Sequence, residues 1–484
     1  MQNTAYRVQW HWWYTAIAAA AGIITRVALP WHSVFDNGIV KFNTVDAYYF
    51  LQQAKLGNIT DLWTWILSIF NNEIIAAILP MLIYLCCIPI VYCIVQLIFK
   101  NSLMSGISTS LFCIMPGELQ NRTALGAADH HALEIIILLL AMLSLAIIIR
   151  SKNWYRLFGI VALLSLTLAY YYTWGGWLVV VAIIGIWLSI IIVEKIGNLP
   201  YEINGFATGG FILVILLTIV ITELFIFQGF HDSILHNLSW QINTTVNEEM
   251  PLLYTNGMLD LTVWMQNYAM LFYPGLLGLG ILMYDWYQDM DKGKLLLIVW
   301  SVVLLVLTLA QRRWTYYSEI NIALLTGYCA WWFLSRFDLR KITIIIMACI
   351  IFILPVEQGI MMGLSTNGYI PDEMHNSLVW LKQQPNGIVL SQWDNGYWIE
   401  YYAGKQAYAT PGGSNKDQNR KEITALFETG IEPDNDYRYI LLDRRTVEGL
   451  SLSPDAYISR LWNNQAVIPV YSNQDIKIFD MEEN

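Results

Sequence analysis

Long apolar runs alternate with short polar ones along most of the chain, and the runs have membrane length. A span needs about 20 apolar residues. Candidates fall near 12–30, 75–98, 102–116, 132–149, 155–173, 176–193, 206–228, 263–284, 295–311, 318–335 and 342–358, the third being the weakest. The segments 31–74, 117–131 and 229–262 are long or polar connections. The pattern changes near residue 359. "PDEMHNSLVWLKQQPNG" predicts a helix opened by Pro371 and closed at Asn386-Gly387. "GIVLSQW", "YRYILLD", "AVIPVYS" and "IKIFD" predict strands, and Pro454 opens another short helix.

Lys and Arg set the orientation. With the N-terminus inside, the inner segments carry Arg7, Lys100, Arg150, Lys152, Arg156, Lys195, Lys292, Lys294, Arg336, Arg340 and Lys341. The outer connections carry Lys41, Lys55, Arg122, Arg312 and Arg313, and 229–263 holds no Lys or Arg. The predicted fold is a polytopic α-helical membrane protein with a small outward-facing α/β C-terminal domain. Residues 1–358 form the membrane domain, with about 11–13 helices, and residues 359–484 the outer one. The run 12–30 has no small-residue cleavage site after it and is expected to stay as an anchor.

Composition supports the class. Only 13% of residues are charged, about half the usual share, as expected where charge is costly. With a net charge of −10, nothing suggests nucleic-acid binding. All six cysteines lie in apolar stretches, which argues against a disulfide framework or a zinc site of cysteines.

Four outer clusters carry candidate chemistry. "NTVDAYYF" holds Asp46 beside tyrosines, a place where helix capping is the competing explanation. "NRTALGAADHHALE" puts Arg122, Asp129, His130, His131 and Glu134 at the mouth of an apolar span. In an extended segment Asp129 and His131 share a side, and carboxylate with imidazole suits an ion such as Mn, Mg or Zn. "NTTVNEEMP" holds Glu248 and Glu249 with no cation nearby in sequence. "AQRRWTYY" puts Arg312 and Arg313 at the outer end of a span, against the inside bias, where an anionic partner fits Arg's fork of donors.

Together these clusters resemble the catalytic subunit of oligosaccharyltransferases, in the single-subunit, archaeal-like form. The family's WWDYG signature reads "QWDNG" here, Gln392 to Gly396. Its first acidic motif matches "VDAYYF", its second matches the Asp129-His130-His131 version, its Thr/Ser-aliphatic-x-Glu motif matches Thr245 to Glu248, and its late Arg matches Arg313-Trp314. The departures are Gln392 for Trp, Asn395 for Tyr, and Thr446 where "LLDRRTVEGL" puts a residue in place of the family's Met.

The resemblance implies a GT-C-like glycosyltransferase architecture and transfer of a glycan to the asparagine of N-x-Ser/Thr sequons. The donor would be an oligosaccharide on a polyprenol or dolichol phosphate or diphosphate. Asp46, Asp129 and Glu248 would be catalytic. Asp46, Asp129, His131 and Glu248 would hold Mn2+ or Mg2+. Arg122 and Arg313 would bind donor phosphate, and Gln392, Trp393 and Asp394 the sequon hydroxyl. The enzyme would sit in the cell membrane as a multi-pass protein, among lipids, with its active site outside. Another polyprenol-phosphate glycosyltransferase of this architecture is the alternative. A transporter is the lesser one, disfavoured because ionisable residues are scarce in the spans, Arg26 being the main exception.

Overall fold

The computed structural model describes residues 3–152, 154–173, 177–196, 248, 250–255, 258–337, 341–366, 370–411, 421–423, 425–426, 437–449, 457–463 and 467–482. The predicted span 206–228, most of the 229–262 connection and the residues Thr245 and Glu249 lie outside the described residues.

Among the described residues, six stretches are long and apolar enough to cross a membrane: Trp13–Val34, Glu73–Phe99, His131–Arg150, Trp154–Tyr171, Thr262–Asp289 and Lys292–Ala310. Helices also cover Ser102–Ile114, Trp177–Ile196, Thr315–Arg336 and Lys341–Ser365. Ser102–Ile114 has 13 residues, short for a full crossing at 1.5 Å per residue. The chain is a multi-pass α-helical membrane protein.

Two compact units share the chain. The first comprises Met1–Trp31, Leu79–Leu125 and His130–Ser365. Thr315–Arg336 runs through its middle and is buried at every position from Thr315 to Ala330. It packs against Ser102–Ile114 and Phe272–Asp289. Buried polar groups here must find partners inside the protein, because lipid offers none. Arg26 is fully buried. It donates to Thr123 Oγ1 at 3.0 Å and to the carbonyls of Cys113 and Met115 at 3.1 and 2.9 Å, and lies 4.3 Å from the centre of the Tyr84 ring. Glu319 is equally buried and accepts from the amides of Glu118 and Leu119 at 3.0 and 2.6 Å. It thereby caps the helix Glu118–Thr123. Gly117 precedes that helix at φ 85°, and a Cβ there would meet the Asn267 carbonyl and Glu319 itself at 2.4 Å, so only glycine fits. Glu134 and Glu319 therefore join Arg26 as ionisable residues within the helices, more than the sequence reading allowed for.

The second unit comprises His32–Ile78, Gly126–Asp129 and Thr366–Asn484. The compositional change at 358/359 thus falls a few residues before the structural boundary, and the first connection belongs with the C-terminal segment. Aromatic residues explain this. Tyr48 lies against Tyr401 and Tyr402, with ring centres 5.3 and 5.4 Å apart, and Tyr49 against Tyr397 at 5.0 Å. Lys55 reaches both Glu73 and the Tyr401 hydroxyl, at 2.9 and 2.7 Å. Among the described residues the C-terminal sheet has four strands in the order Val389–Leu390, Tyr439–Asp443, Ile476–Asp480, Tyr471–Ser472. The first pair is parallel and the others antiparallel, with Leu441 opposite Ile478. Among the described residues "AVIPVYS" supplies Tyr471–Ser472 as strand, and the late helix covers Tyr457–Trp462, Pro454 lying outside the described residues.

Candidate active site

The first connection forms a helix, Asp46–Leu56, with Asp46 as its first residue. Its N-cap is Val45, whose side chain makes no capping bond, so capping does not account for the acid. Two bonds within the second unit tie this region to the DHH segment. The Asn43 amide donates to the Gly126 carbonyl at 3.2 Å, and Trp63 Nε1 to the Ala128 carbonyl at 3.2 Å. Asn43 is three residues before Asp46, and Gly126 three before Asp129. Burial pushes the nearby Tyr48 hydroxyl up to about 12, and it accepts from the Phe42 amide at 3.1 Å and from the Tyr402 hydroxyl at 3.4 Å.

Asp129, His130 and His131 each offer a ligand atom, and these atoms lie within 4.8 Å of one another. All three residues are buried. The expected extended segment is absent at this point. His130 has φ −60°, ψ −21°, already helical, so strand-like alternation does not separate the two histidines. One buried carboxylate and two imidazoles fit a divalent ion. Asp46 and Glu248 are not members of this three-residue group.

What distinguishes His131 is its other partner. His131 Nδ1 lies 3.0 Å from Glu134 Oε2 and 3.0 Å from the Tyr316 hydroxyl. The same carboxylate oxygen accepts from Tyr316 at 2.8 Å and from Tyr317 at 2.9 Å. Tyr170 in turn donates to Tyr317 at 2.5 Å. His130 Nε2 is 4.0 Å from Glu134 Oε1, beyond hydrogen-bond reach.

Arg122 lies on the helix Glu118–Thr123. Its Nε donates to Glu118 at 3.1 Å, and its Nη2 pairs with Glu248. Glu248 therefore has a cation, contrary to the reading of an unpaired acidic loop, and Arg122 is engaged by two carboxylates before any phosphate arrives. Arg312 anchors the same region: its amide donates to the Met250 carbonyl at 2.9 Å and its Nε to the Pro251 carbonyl at 3.2 Å. Arg313 is half-buried beside it.

The QWDNG stretch forms a 3-10 turn, Trp393–Asn395, entered through Gln392. Gln392, Asp394 and Asn395 line a cavity of about 580 Å³ in the second unit, together with Trp398, Asp443, Arg445 and Thr446. Trp393 does not line it; its ring packs on the core around Leu390, Ile440 and Phe479. Asn395, standing where the family has Tyr, donates to Ser391 Oγ at 3.0 Å and to Asp443 Oδ2 at 3.1 Å. Asp443 also accepts from the Thr446 amide at 2.9 Å and hydroxyl at 2.7 Å, and so caps the helix Arg444–Gly449. Gly396 packs its backbone on the Ala409 carbonyl, where a Cβ would stand 2.2 Å away. Two departures from the family pattern, Asn395 and Thr446, thus meet at one carboxylate. The sequence reading missed that link and the Glu134–tyrosine network; the Glu three residues after His131 was the available signal for the second.

No protein-family model matches the chain, and no curated protein matches it. Solved structures similar to it include those of two proteins. The archaeal oligosaccharyltransferase AglB from Archaeoglobus fulgidus, in complex with an inhibitory peptide and a dolichol-phosphate, has a TM-score of 0.72 at 16% identity, over 93% of this chain and 72% of that one. Tethered to an acceptor peptide containing the NVT sequon, the A. fulgidus enzyme scores 0.69 at 16% identity, over 90% and 69%. In complex with Zn and sulfate it scores 0.65 at 15%, over 92% and 70%. ArnT from Cupriavidus metallidurans, bound to undecaprenyl phosphate, scores 0.55 at 10%, over 97% of both chains. The chain has the GT-C-like fold of membrane glycosyltransferases.

Proposed function

We propose that the chain is an oligosaccharyltransferase, moving a glycan from a polyprenol- or dolichol-linked phosphate to the asparagine of an N-x-Ser/Thr sequon on the outer face of the membrane. The observation that carries this reading is the cavity shared by Gln392, Asp394, Asn395 and the Asp443–Thr446 turn. A glycosyltransferase acting on a lipid or sugar has no need of a hydroxyl-reading pocket in its C-terminal unit. The neighbours bound to dolichol-phosphate and to a sequon peptide support the same donor and acceptor classes.

The chemical difficulty is the nucleophile. An amide nitrogen shares its lone pair with its carbonyl, and the analogous peptide resonance has a barrier of about 18–20 kcal/mol. Asp46 and Glu248 would accept from the two amide N–H bonds and weaken that conjugation, with Arg122 holding Glu248 in place. Asp129 and His131 would be ligands of a divalent ion, with Asp46 and Glu248 as the further ligands implied by motif order. Imidazole favours Mn2+ over Mg2+ in such a set. The ion's role, when bound, is to neutralise charge on the leaving phosphate. Arg313 would hold that phosphate. Arg122 is the weaker candidate for phosphate, because two carboxylates already occupy it. Asp394 and Gln392 would bond the sequon hydroxyl and reject acceptors lacking it. Trp393 would act by packing the turn in place, since its ring lies on the core.

The test is glycan transfer to an Asn-x-Thr peptide from crude lipid-linked donor, with and without Mn2+. The second reading is a polyprenol-phosphate glycosyltransferase acting on a lipid or sugar, favoured by the likeness to ArnT bound to undecaprenyl phosphate. It predicts donor consumption with no glycopeptide.

A further inference from the structure

Glu134 sits one turn after His131 on the same apolar helix and is fully buried. A carboxylate in that position is costly unless donors surround it. One of its oxygens takes Tyr316, Tyr317 and His131, and Tyr170 backs Tyr317 from another helix. The two tyrosine donors, Tyr316 and Tyr317, come from Thr315–Arg336, far away in sequence, so the arrangement is built by the tertiary fold.

From this geometry we infer that Glu134, held by Tyr316 and Tyr317, is a positioning residue for His131 as a metal ligand. A proton on Nδ1, donated to Glu134, leaves the lone pair on Nε2, and the carboxylate fixes the ring's plane. Metal-binding histidines are oriented in this way by carboxylates, and losing the carboxylate costs 10–100-fold in metal affinity or activity. His130 has no such contact with Glu134, whose other oxygen is 4.0 Å from its Nε2. The carboxylate therefore separates the two histidines where backbone alternation does not. The inference rests on the metal reading of Asp129 and His131 under the proposed function.

The experiment uses the purified full chain in detergent. Free Mn2+ is titrated by its electron paramagnetic resonance signal, and the visible band of the Co2+-loaded protein is recorded. Glu134→Gln is expected to raise the Mn2+ Kd about 10–100-fold and to move the Co2+ band. Tyr316→Phe, which removes one donor to Glu134, is expected to raise it by about two- to tenfold. A role in folding alone would lower the amount of folded protein and leave both the Kd of the folded fraction and the band position unchanged. A wild-type Kd with an unmoved band in Glu134→Gln overturns the inference. If that variant does not fold, a wild-type Kd in the Tyr316→Phe, Tyr317→Phe double variant overturns it instead. Wild-type protein that takes up neither ion overturns the metal reading itself, and the inference falls with it; that outcome is distinct from wild-type binding that the variants leave intact.

Discussion

The Glu134 cluster and the Asn395–Asp443 turn are both carboxylate-centred, yet they are built differently. Glu134 is fully buried among membrane helices and, besides its near neighbour His131, draws Tyr316 and Tyr317 from about 180 positions away in sequence. Asp443 is half-buried beside a cavity, and two of its three bonds come from Thr446 in the next turn. Water can replace a lost partner at Asp443 and cannot at Glu134. An unsatisfied buried group costs about 1–3 kcal/mol, more when charged. The membrane cluster should therefore respond to substitution as one unit, and the cavity residue by residue.

The largest expected effect tests the first half of that contrast. Asp129→Ala or His131→Ala should lower peptide glycosylation by on the order of 10²–10³-fold, the cost of removing a group that stabilises transition-state charge. Initial rates at saturating peptide check it, and near wild-type rates would remove these residues from the chemistry. Next comes the cavity. Asp443→Ala strips a helix cap and one partner of Asn395, and should raise the acceptor KM about tenfold. The Mn2+ Kd should not change; a shift in metal affinity instead would break the division between the two regions. Gly396→Ala should then destabilise the full chain by about 1–3 kcal/mol through overpacking on the Ala409 carbonyl, read as a lower thermal midpoint.

The smallest effect is a pH dependence in the second unit. His375 lies against the Tyr402 ring, with centres 4.8 Å apart. Burial, with the Lys41 charge, holds its pKa below the usual histidine range. The folded state thus binds the proton less readily than the unfolded chain. Its contribution to stability is full above the unfolded value of about 6.5 and is lost as pH falls through the lower folded value. The thermal midpoint should decline slightly below pH 6.5, and His375→Asn should flatten that slope.

Much of this was legible in the sequence. Run lengths announce the helices, because a membrane span must be apolar over a fixed length. Asp46, Asp129, His131 and Gln392–Gly396 could be picked out because polar residues are conspicuous beside apolar runs. Other features could not be read this way. Arg122 meets Glu248 across 126 residues, and nothing local to either position announces the pair. The tyrosines on Glu134 read as interfacial aromatics until the fold brings their hydroxyls to one oxygen. The first connection's place in the second unit depends on Tyr48 and Tyr49 meeting a second tyrosine cluster, which no single window of sequence contains.

The central claim is transfer to a sequon, and one measurement addresses it most directly. Membranes containing the chain are given lipid-linked donor, Mn2+ and paired peptides, Asn-x-Thr and Asn-x-Ala. The account predicts a glycopeptide from the Thr peptide alone, abolished by chelator and by Asp129→Ala. Donor consumption with no glycopeptide, or equal transfer to both peptides, would contradict it.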